Sequence, residues 1–206
     1  FLSKEPVFIN SETIYNSLDK LYIRKFFSKK KRNNLFRFVF DKNLIREGVV
    51  DFLKKKKLNT ISVNQKWFNL EESRLVAKQL LNYYSINYSE VIRVPLTFPV
   101  VLKSNNTELV KIVGSMSELL ELKKIYSEKK IFLEQYLEGE VKYLLFIWDG
   151  KNLLILNSEI ATTEVQLDRL DLLHTKMKFM FSEENPNFIG FFTVKIIWSK
   201  NDWYIL

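Results

Sequence analysis

Three glutamates, Glu134, Glu138 and Glu140, lie in and just after a segment, 131–137, whose apolar residues are typical of a β-strand. Carboxylates are unusual in such a segment, because an ionised group that leaves water is unfavourable unless it is paired. One interpretation of "LEGE" (137–140) is an exposed turn with solvated side chains. The alternative is a polar binding site, in which these carboxylates accept hydrogen bonds from a ligand.

Few other side chains suggest chemistry. The chain has no cysteine and one histidine, His174, so a thiolate nucleophile, a disulfide framework and a histidine-rich zinc site are excluded. We interpret His174, which lies in an amphipathic segment, as structural. The lack of cysteine fits a reducing compartment. No signal peptide or membrane-length apolar run is visible, so a cytoplasmic protein without a membrane partner is expected.

The composition indicates a globular protein with a basic balance. With 206 residues, 47% hydrophobic and 15% aromatic, the chain can bury one large core or two small ones. The net charge of +8 would attract phosphate-bearing partners, from nucleotides to nucleic acid. Nucleic-acid binding ranks last, because the basic cluster at 29–32 is typical of a solvated loop. The four lysines at 54–57 fall in a last helical turn, where the helix dipole favours cations.

The first 87 residues are predicted to form an α/β region. A strand at 35–40 is followed by a helix at 44–58, a strand at 59–63 and a helix at 65–84. Apolar residues at helical spacing support both helices: Ile45, Val49, Phe52 and Leu53 in the first, and Trp67, Leu70, Ala77, Leu81 and Tyr84 in the second. The segment 88–98, with Pro95 and then Pro99, is predicted to be a linker.

Residues 99–206 are predicted to form an α+β region with antiparallel strands and helices on one side. Two short strands surround "SNNT", and Ser115 or Ser117 caps the helix that follows. Asp149-Gly150 predicts a hairpin. A helix at 165–181 then precedes a strand, an Asn-Asp turn and a closing strand. Two lobes are expected, 99–157 and 158–206.

The order of these elements resembles the ATP-grasp fold. The resemblance rests on "FPVVLK" with its terminal Lys103, a second strand, a Ser-x-Glu-Leu helix, "IFLEQYLEGE" and a later "FIGF" before two closing strands. In that fold two α+β lobes hold ATP between them. An adenine requires an apolar slot, ribose hydroxyls a carboxylate acceptor and phosphates a cation.

The resemblance implies a set of nucleotide-binding residues. Lys103 would reach the α-phosphate, and one carboxylate beyond the strand, Glu138 or Glu140, would accept from the ribose. The residues that would meet the adenine are Glu134, Gln135, Tyr136 and Leu137. The strand of Lys103 and the segment after Phe132 are expected to face each other across a nucleotide-sized cleft.

Residues 35–157 are most similar to phosphoribosylamine-glycine ligase. The matching positions are Leu44, Gly48, Val49, Asp51, Phe52, Leu53, Leu70, Glu71, Ser73, Ala77 and Lys78. This resemblance implies ATP-dependent joining of a carboxylate to an amine through an acyl phosphate, in purine biosynthesis, with ATP and magnesium as cofactors. Nucleotide and small-molecule substrates are the expected partners. The alternative is a catalytically degenerate homologue that serves as a binding or scaffold subunit in a protein assembly.

Three departures from the family pattern favour that alternative. The glycine-rich phosphate loop expected after Lys103 is replaced by a stretch that begins with Asn105 and Asn106. A second glycine-rich segment is missing after Asn157, and the expected magnesium-ligand segment would begin where the sequence ends, as in a trimmed chain. The nearest candidate magnesium ligands are Glu159 and Glu164. No catalytic residue is assigned.

Overall fold

The computed structural model describes residues 37–38, 42–57, 60–105, 109–157, 160–184 and 189–206. The chain forms two compact units, Phe1–Gln65 and Lys66–Leu206. Its mixture of helices and antiparallel sheet confirms the predicted α+β class. This division lies before the predicted linker at 88–98, and the predicted domain boundaries stay predictions.

In its described residues, the first unit contains a short parallel pair of strands and two helices. Strand β1 (Arg37–Phe38) pairs with β2 (Thr60–Ile61), and helices α1 (Lys42–Arg46) and α2 (Val49–Lys55) lie between them in the chain. The single predicted helix at 44–58 is therefore wrong. Gly48, with φ of 76°, interrupts it, because a left-handed backbone cannot continue an α-helix. The basic cluster at 29–32 lies outside the described residues.

The second unit begins with two helices where one was predicted. Helix α3 (Gln65–Glu72) ends at Ser73, and α4 (Arg74–Tyr83) begins directly after it. The first backbone N–H groups of α4 need acceptors from outside the helix. Asn105 supplies them: its backbone oxygen accepts from Arg74 N at 3.3 Å, and its Oδ1 accepts from Leu75 N at 3.3 Å. The break is thus stabilised by a residue 31 positions away in the direction of the carboxyl terminus (from 74 to 105).

A four-stranded antiparallel sheet, the first sheet, follows with the order β3-β6-β4-β5. Its elements are β3 (Val91–Ile92), β4 (Val100–Ser104), β5 (Val110–Val113), helix α5 (Met116–Ile125) and β6 (Ile131–Gln135). Helix α5 packs on one side of this sheet, and the shared core comprises Val100, Leu102, Leu109, Val113, Leu119, Leu122 and Leu133. The predicted cap is confirmed for Ser115, whose Oγ accepts from Glu118 N.

The second sheet has the order β10-β9-β7-β8 and is also antiparallel. Its elements are β7 (Val141–Trp148), β8 (Leu153–Ile155), α6 (Glu164–Glu183), β9 (Gly190–Ser199) and β10 (Asp202–Ile205). The predicted hairpin at Asp149-Gly150 is confirmed. The closing turn uses Lys200 and Asn201, both with positive φ, one position earlier than predicted. No helix in the described residues has the length and apolar character to cross a membrane.

Helix α6 covers one face of the second sheet. Its buried residues include Leu170, Leu173, Met177 and Phe181, and the ring of Phe181 stacks on Phe192 with centroids 4.8 Å apart. His174 Nε2 lies 2.6 Å from the Leu153 carbonyl oxygen, a contact within the fold, as its structural interpretation predicts.

The segment 87–92 connects the two sheets. Ile205 N donates to the Asn87 oxygen at 2.9 Å, and Ser89 N donates to the Ile205 oxygen at 3.0 Å, so this segment extends the second sheet beyond β10. Two residues later β3 pairs with β6 in the first sheet. Part of the predicted linker is therefore a structural strand.

The passage from the first sheet to the second is tight at Gly139. Its φ is 151°, and a Cβ placed there would lie 2.4 Å from the Trp198 carbonyl oxygen and 3.0 Å from Ile197 Cγ1. The glycine of "LEGE" thus has a packing role, because only a residue without Cβ lets the backbone pass this close to β9.

Gly139→Ala should lower the free energy of unfolding by about 3 kcal/mol, the combined order of backbone strain and overpacking. Gly114→Ala is the matched control, because a Cβ there meets only a Glu118 side-chain oxygen at 3.7 Å. Urea unfolding followed by tryptophan fluorescence measures both. Equal midpoints for the two variants would contradict the steric argument.

Candidate functional site

A fully buried carboxylate, Glu134, lies at the centre of a polar cluster in the second unit. Its side chain is 0% exposed. Lys103 Nζ lies 2.7 Å from Oε2, and Lys78 Nζ lies 3.1 Å from Oε1. Side chains alternate along a strand, and the register pairs Val101 with Glu134, so Lys103 and Glu134 share one side of the first sheet. This is the side opposite helix α5.

Ser89 completes the contacts of the carboxylate. Its Oγ donates to Glu134 Oε2 at 2.5 Å. Lys78 Nζ in turn donates to Ser89 Oγ at 2.9 Å and to the Ser89 carbonyl oxygen at 2.6 Å. Both Lys78 and Ser89 are buried. Glu134 Oε2 therefore accepts a hydrogen bond and faces a cation, whereas Oε1 has an ion pair with Lys78 and no hydrogen bond within the described residues.

Arg74 adds a third cation on the same helix face as Lys78, because residues four apart lie one above the other on α4. Its Nη1 is buried and has no hydrogen-bond partner within the part of the chain that the structure describes. We call Arg74, Lys78, Ser89, Lys103 and Glu134 the Glu134 cluster. The cluster contains three cationic side chains and a single carboxylate.

This charge imbalance is visible in the pKa values of the cations. Loss of solvent by burial lowers the pKa of Lys78 to about 8, although the charge and hydrogen bond of Glu134 oppose the shift. Burial also lowers the pKa of Lys103 and of Arg74, again against the field of Glu134. One carboxylate is thus insufficient to compensate for the burial of three cations, and the cluster is suited to receive an anion.

The second sheet presents a further cation to this region. Lys195 pairs with Tyr143 across β7 and β9, and its Nζ lies 5.4 Å from the Tyr143 ring centroid. The charge of Lys195 contributes to the lowered pKa of Lys103. Lys195 is therefore near enough to Lys103 for its charge to act on that lysine.

Exposed apolar side chains lie on the sides of the two sheets that carry Lys103 and Lys195. By strand alternation they share a side with Lys103 in the first sheet and with Lys195 in the second. They are Val91, Val110 and Ile112 in the first sheet, and Val141, Tyr143, Leu154 and Phe191 in the second, each between 41% and 59% exposed. A cationic centre with apolar surroundings matches the general character of a site for an anionic ligand that also has an apolar part.

Comparison with known proteins shows the architecture. No protein-family model matches the chain, and no curated protein sequence is similar to it. Phosphoribosylamine-glycine ligase from Thermotoga maritima superposes with a TM-score of 0.60 and 18% identity, over 72% of this chain and 49% of that one. D-alanine-D-alanine ligase from Bacillus anthracis, complexed with ATP, gives 0.58 and 17%, over 97% and 82%.

The biotin carboxylase domain of 2-oxoglutarate carboxylase from Hydrogenobacter thermophilus, in complex with MgADP, gives a TM-score of 0.65 and 13% identity, over 97% of this chain and 52% of that one. The chain has the ATP-grasp fold. It spans 49% of the Thermotoga ligase, about half its length. At these identities the likeness shows the fold and leaves the substrates to be proposed.

Within the ATP-grasp fold, the predicted opposition of Lys103 and the segment after Phe132 across a cleft is wrong. Strands β4 and β6 are adjacent, and Lys103 pairs with Phe132 in the register. The two side chains that were expected to hold different parts of a nucleotide, Lys103 and Glu134, instead contact each other. Strand order cannot be derived from the local sequence, because it depends on long-range pairing.

The other predicted nucleotide-binding residues lie along the chain beyond Glu134. Gln135 and Tyr136 are half-buried, and Leu137 is buried. Glu138 and Glu140 are exposed, and Glu140 Oε2 lies 3.7 Å from Lys142 Nζ. In the described part of the chain, no hydrogen bond or ion pair joins their side chains to the Glu134 cluster. Their contacts with a nucleotide stay a prediction.

Three members of the cluster were missed as site residues at the sequence level: Arg74, Lys78 and Ser89. A signal was available for two of them, since Arg74 and Lys78 are four residues apart on a helix whose apolar stripe predicts burial. Nothing in the local sequence marks Ser89. Its role arises because the segment 87–92 pairs first with β10 of the second sheet and then with β6 of the first sheet.

Magnesium has no evident site in the described residues, which contain no group of three or more acidic or histidine side chains suited to a metal ion. Glu164 lies in the first turn of α6 and is exposed. Glu159 lies outside the described residues. The cluster therefore fits an anionic ligand by its charge, whereas the described carboxylates do not form a metal site.

Glu134→Gln should lower the free energy of unfolding by about 3 kcal/mol, because Lys78 and Lys103 would remain buried without their counter-charge. Glu140→Gln is the control, since that side chain is 81% exposed and its ion pair is solvated. Urea unfolding at neutral pH measures both. Similar losses for the two variants would contradict the central place of Glu134.

The stability should also depend on pH through Lys78. Between its folded pKa of about 8 and the ordinary value of 10.5, the unfolded chain binds more protons at this position than the folded chain does. Stability from this group therefore rises with pH across that window. We expect the free energy of unfolding of the wild type to increase with pH across this window, relative to that of Lys78→Met, which lacks the titrating group. Urea unfolding at several pH values measures both proteins. A constant difference between the two proteins would contradict it.

Proposed function

We propose that the second unit binds ATP, with the phosphates at the cationic side of the Glu134 cluster. The observation that carries this proposal is the unbalanced charge: three buried or half-buried cations contact or face one carboxylate, and Arg74 Nη1 has no partner in the described residues. A phosphate group supplies the missing negative charge and acceptor oxygens. Such charge-assisted hydrogen bonds are about twice as strong as neutral ones.

Lys103 and Arg74 are the residues proposed to bind the phosphates. Among the described residues, Lys103 Nζ has an ion pair with Glu134 Oε2, and an ammonium group has three donors. Lys78 differs, because Ser89 already accepts two hydrogen bonds from it and Glu134 forms an ion pair with it. The adenine is proposed to lie against the exposed apolar side chains described above, near the predicted residues Gln135, Tyr136 and Leu137. Glu138 or Glu140 is proposed for the ribose.

The proposed reaction is the ATP-dependent joining of a carboxylate to an amine. Support comes from the fold and from the names of several structural neighbours, which include phosphoribosylamine-glycine ligase and D-alanine-D-alanine ligase. The residues of this chain would contribute by positioning the phosphates and by stabilising the negative charge that develops on them. The finer proposal, ligation of glycine to phosphoribosylamine in purine biosynthesis, rests on the sequence resemblance over residues 35–157. Cytoplasmic location accompanies it.

A specific observation favours a second candidate, a binding or scaffold subunit without catalysis. Asn105 lies where the glycine-rich phosphate loop is expected, and it caps helix α4 with both its backbone and its side chain. A residue engaged in this way is not available to close over phosphates. The two candidates differ in whether the protein catalyses a reaction. For both of them, the first property to measure is nucleotide binding.

Calorimetric titration of the protein with ATP and magnesium chloride tests the proposal. Lys103→Ala should weaken binding by roughly 10-fold or more, the effect of losing a charge-assisted hydrogen bond. Lys111→Ala is the matched control: it removes an exposed lysine from the neighbouring strand β5, whose register partner Leu102 faces helix α5. Lack of ATP binding at millimolar concentration, or equal effects of the two variants, would overturn the proposal.

A further inference from the structure

Ser89 occupies a position that no matching motif marks, yet it contacts two charged members of the Glu134 cluster. The residue is 1% exposed. Its backbone is fixed by the hydrogen bond from Ser89 N to the Ile205 oxygen at 3.0 Å, and Gln135 N donates to the next residue, Glu90, at 2.9 Å. The side chain of Ser89 is therefore held in place from both sheets.

The direction of the hydrogen bonds around Ser89 Oγ follows from the donors available. Lys78 Nζ has no acceptor capacity, so Ser89 Oγ must accept from it at 2.9 Å. The single hydroxyl hydrogen is then free to point at Glu134 Oε2, 2.5 Å away. An ionised carboxylate can only accept hydrogen bonds. The hydrogen bonds therefore run from Lys78 to Ser89 and from Ser89 to Glu134.

Ser89 and Lys103 share the same carboxylate oxygen. Oε2 accepts from Ser89 Oγ at 2.5 Å and lies 2.7 Å from Lys103 Nζ, whereas Lys78 faces Oε1. If Lys103 turns toward another anion, Glu134 keeps the hydroxyl and Lys78 as partners. Without the hydroxyl, Oε2 would have Lys103 as its remaining partner in the described cluster and would hold that lysine more strongly, because an unpaired buried oxygen is costly.

We propose that Ser89 is a positioning residue that shares the Glu134 carboxylate with Lys103 and thereby keeps Lys103 available to the phosphates of a nucleotide. The inference rests on the proposed function, since it assigns Lys103 to that ligand. Ser89 itself contacts no phosphate in this scheme. Its effect on nucleotide affinity passes through Glu134 and Lys103.

The first test is a double-mutant cycle on ATP affinity, measured by calorimetry on the full chain. Ser89→Ala should weaken binding about fivefold, the order of the net contribution of one ordinary hydrogen bond, because its effect on the ligand is indirect. In a Lys103→Ala background the same change should alter the affinity less than about twofold, because the group through which Ser89 acts is gone. Equal effects in both backgrounds would overturn the proposal.

Ser104→Ala is the matched control. It removes a buried serine hydroxyl from the same sheet, where Ser104 Oγ accepts from Leu109 N and, by strand alternation, lies on the side opposite Lys103 and Glu134. It should lower thermal stability without changing ATP affinity. If Ser89→Ala does not fold, as judged by circular dichroism, Ser89→Cys retains the size with a weaker donor and is interpreted in the same way.

The second test needs no nucleotide and separates failure of this inference from failure of the proposed function. In protein labelled with 15N at lysine side chains, the Lys103 Nζ signal is assigned by its loss in Lys103→Ala and followed against pH. Ser89→Ala should raise the pKa of Lys103, because Glu134 then acts on it more strongly, and Ser104→Ala should not. An unchanged Lys103 titration overturns the role of Ser89, whereas a wild type that binds no ATP overturns only the nucleotide proposal.

Discussion

The burial of the Glu134 carboxylate is the constraint on which the second unit depends. A charge that is 0% exposed requires partners, and it takes them from three separate parts of the chain: Lys78 on α4, Ser89 in the connecting segment and Lys103 on β4. Removal of any one partner leaves the buried carboxylate with fewer groups to stabilise its charge. The cluster therefore fixes the relative placement of these elements as well as preparing a cationic surface.

The cluster lies outside the apolar core of the first sheet. That core forms between the sheet and α5, whereas Lys103 and Glu134 point to the opposite side. The second sheet has its own core against α6, where Phe181 stacks on Phe192. Two separate cores supply the stability, and the sides of the sheets that carry Lys103 and Lys195 are left for polar and ligand contacts.

An excess of buried cations is a typical compromise between stability and binding. Burial lowers the pKa of Lys78, Lys103 and Arg74, so the folded chain without a ligand holds these charges at an energetic disadvantage. In the proposed function, the phosphates of the nucleotide would relieve that disadvantage and gain affinity from it. Asn105 differs from these cations, because its polar groups already have partners within the fold, where they cap α4.

Local signals in the sequence were sufficient for much of the fold. Asp149-Gly150 specified a hairpin, Ser115 a helix cap, and the apolar stripe of 165–181 most of the helix Glu164–Glu183. Each of these features depends on residues that are a few positions apart, so each can be predicted from the local sequence. The order of the elements was also enough to indicate the ATP-grasp fold.

The tertiary structure alone decided the site. Lys103 and Glu134 were recognised as important, but their mutual contact depends on the pairing of β4 with β6, and Lys78 and Ser89 reach Glu134 from 56 and 45 positions away in the sequence (134 minus 78 and 134 minus 89). The helix break at Ser73 likewise depends on Asn105. Such contacts arise when a buried charge or an unpaired backbone group takes the partner that folding brings near it, and that proximity is not encoded in any short stretch of residues.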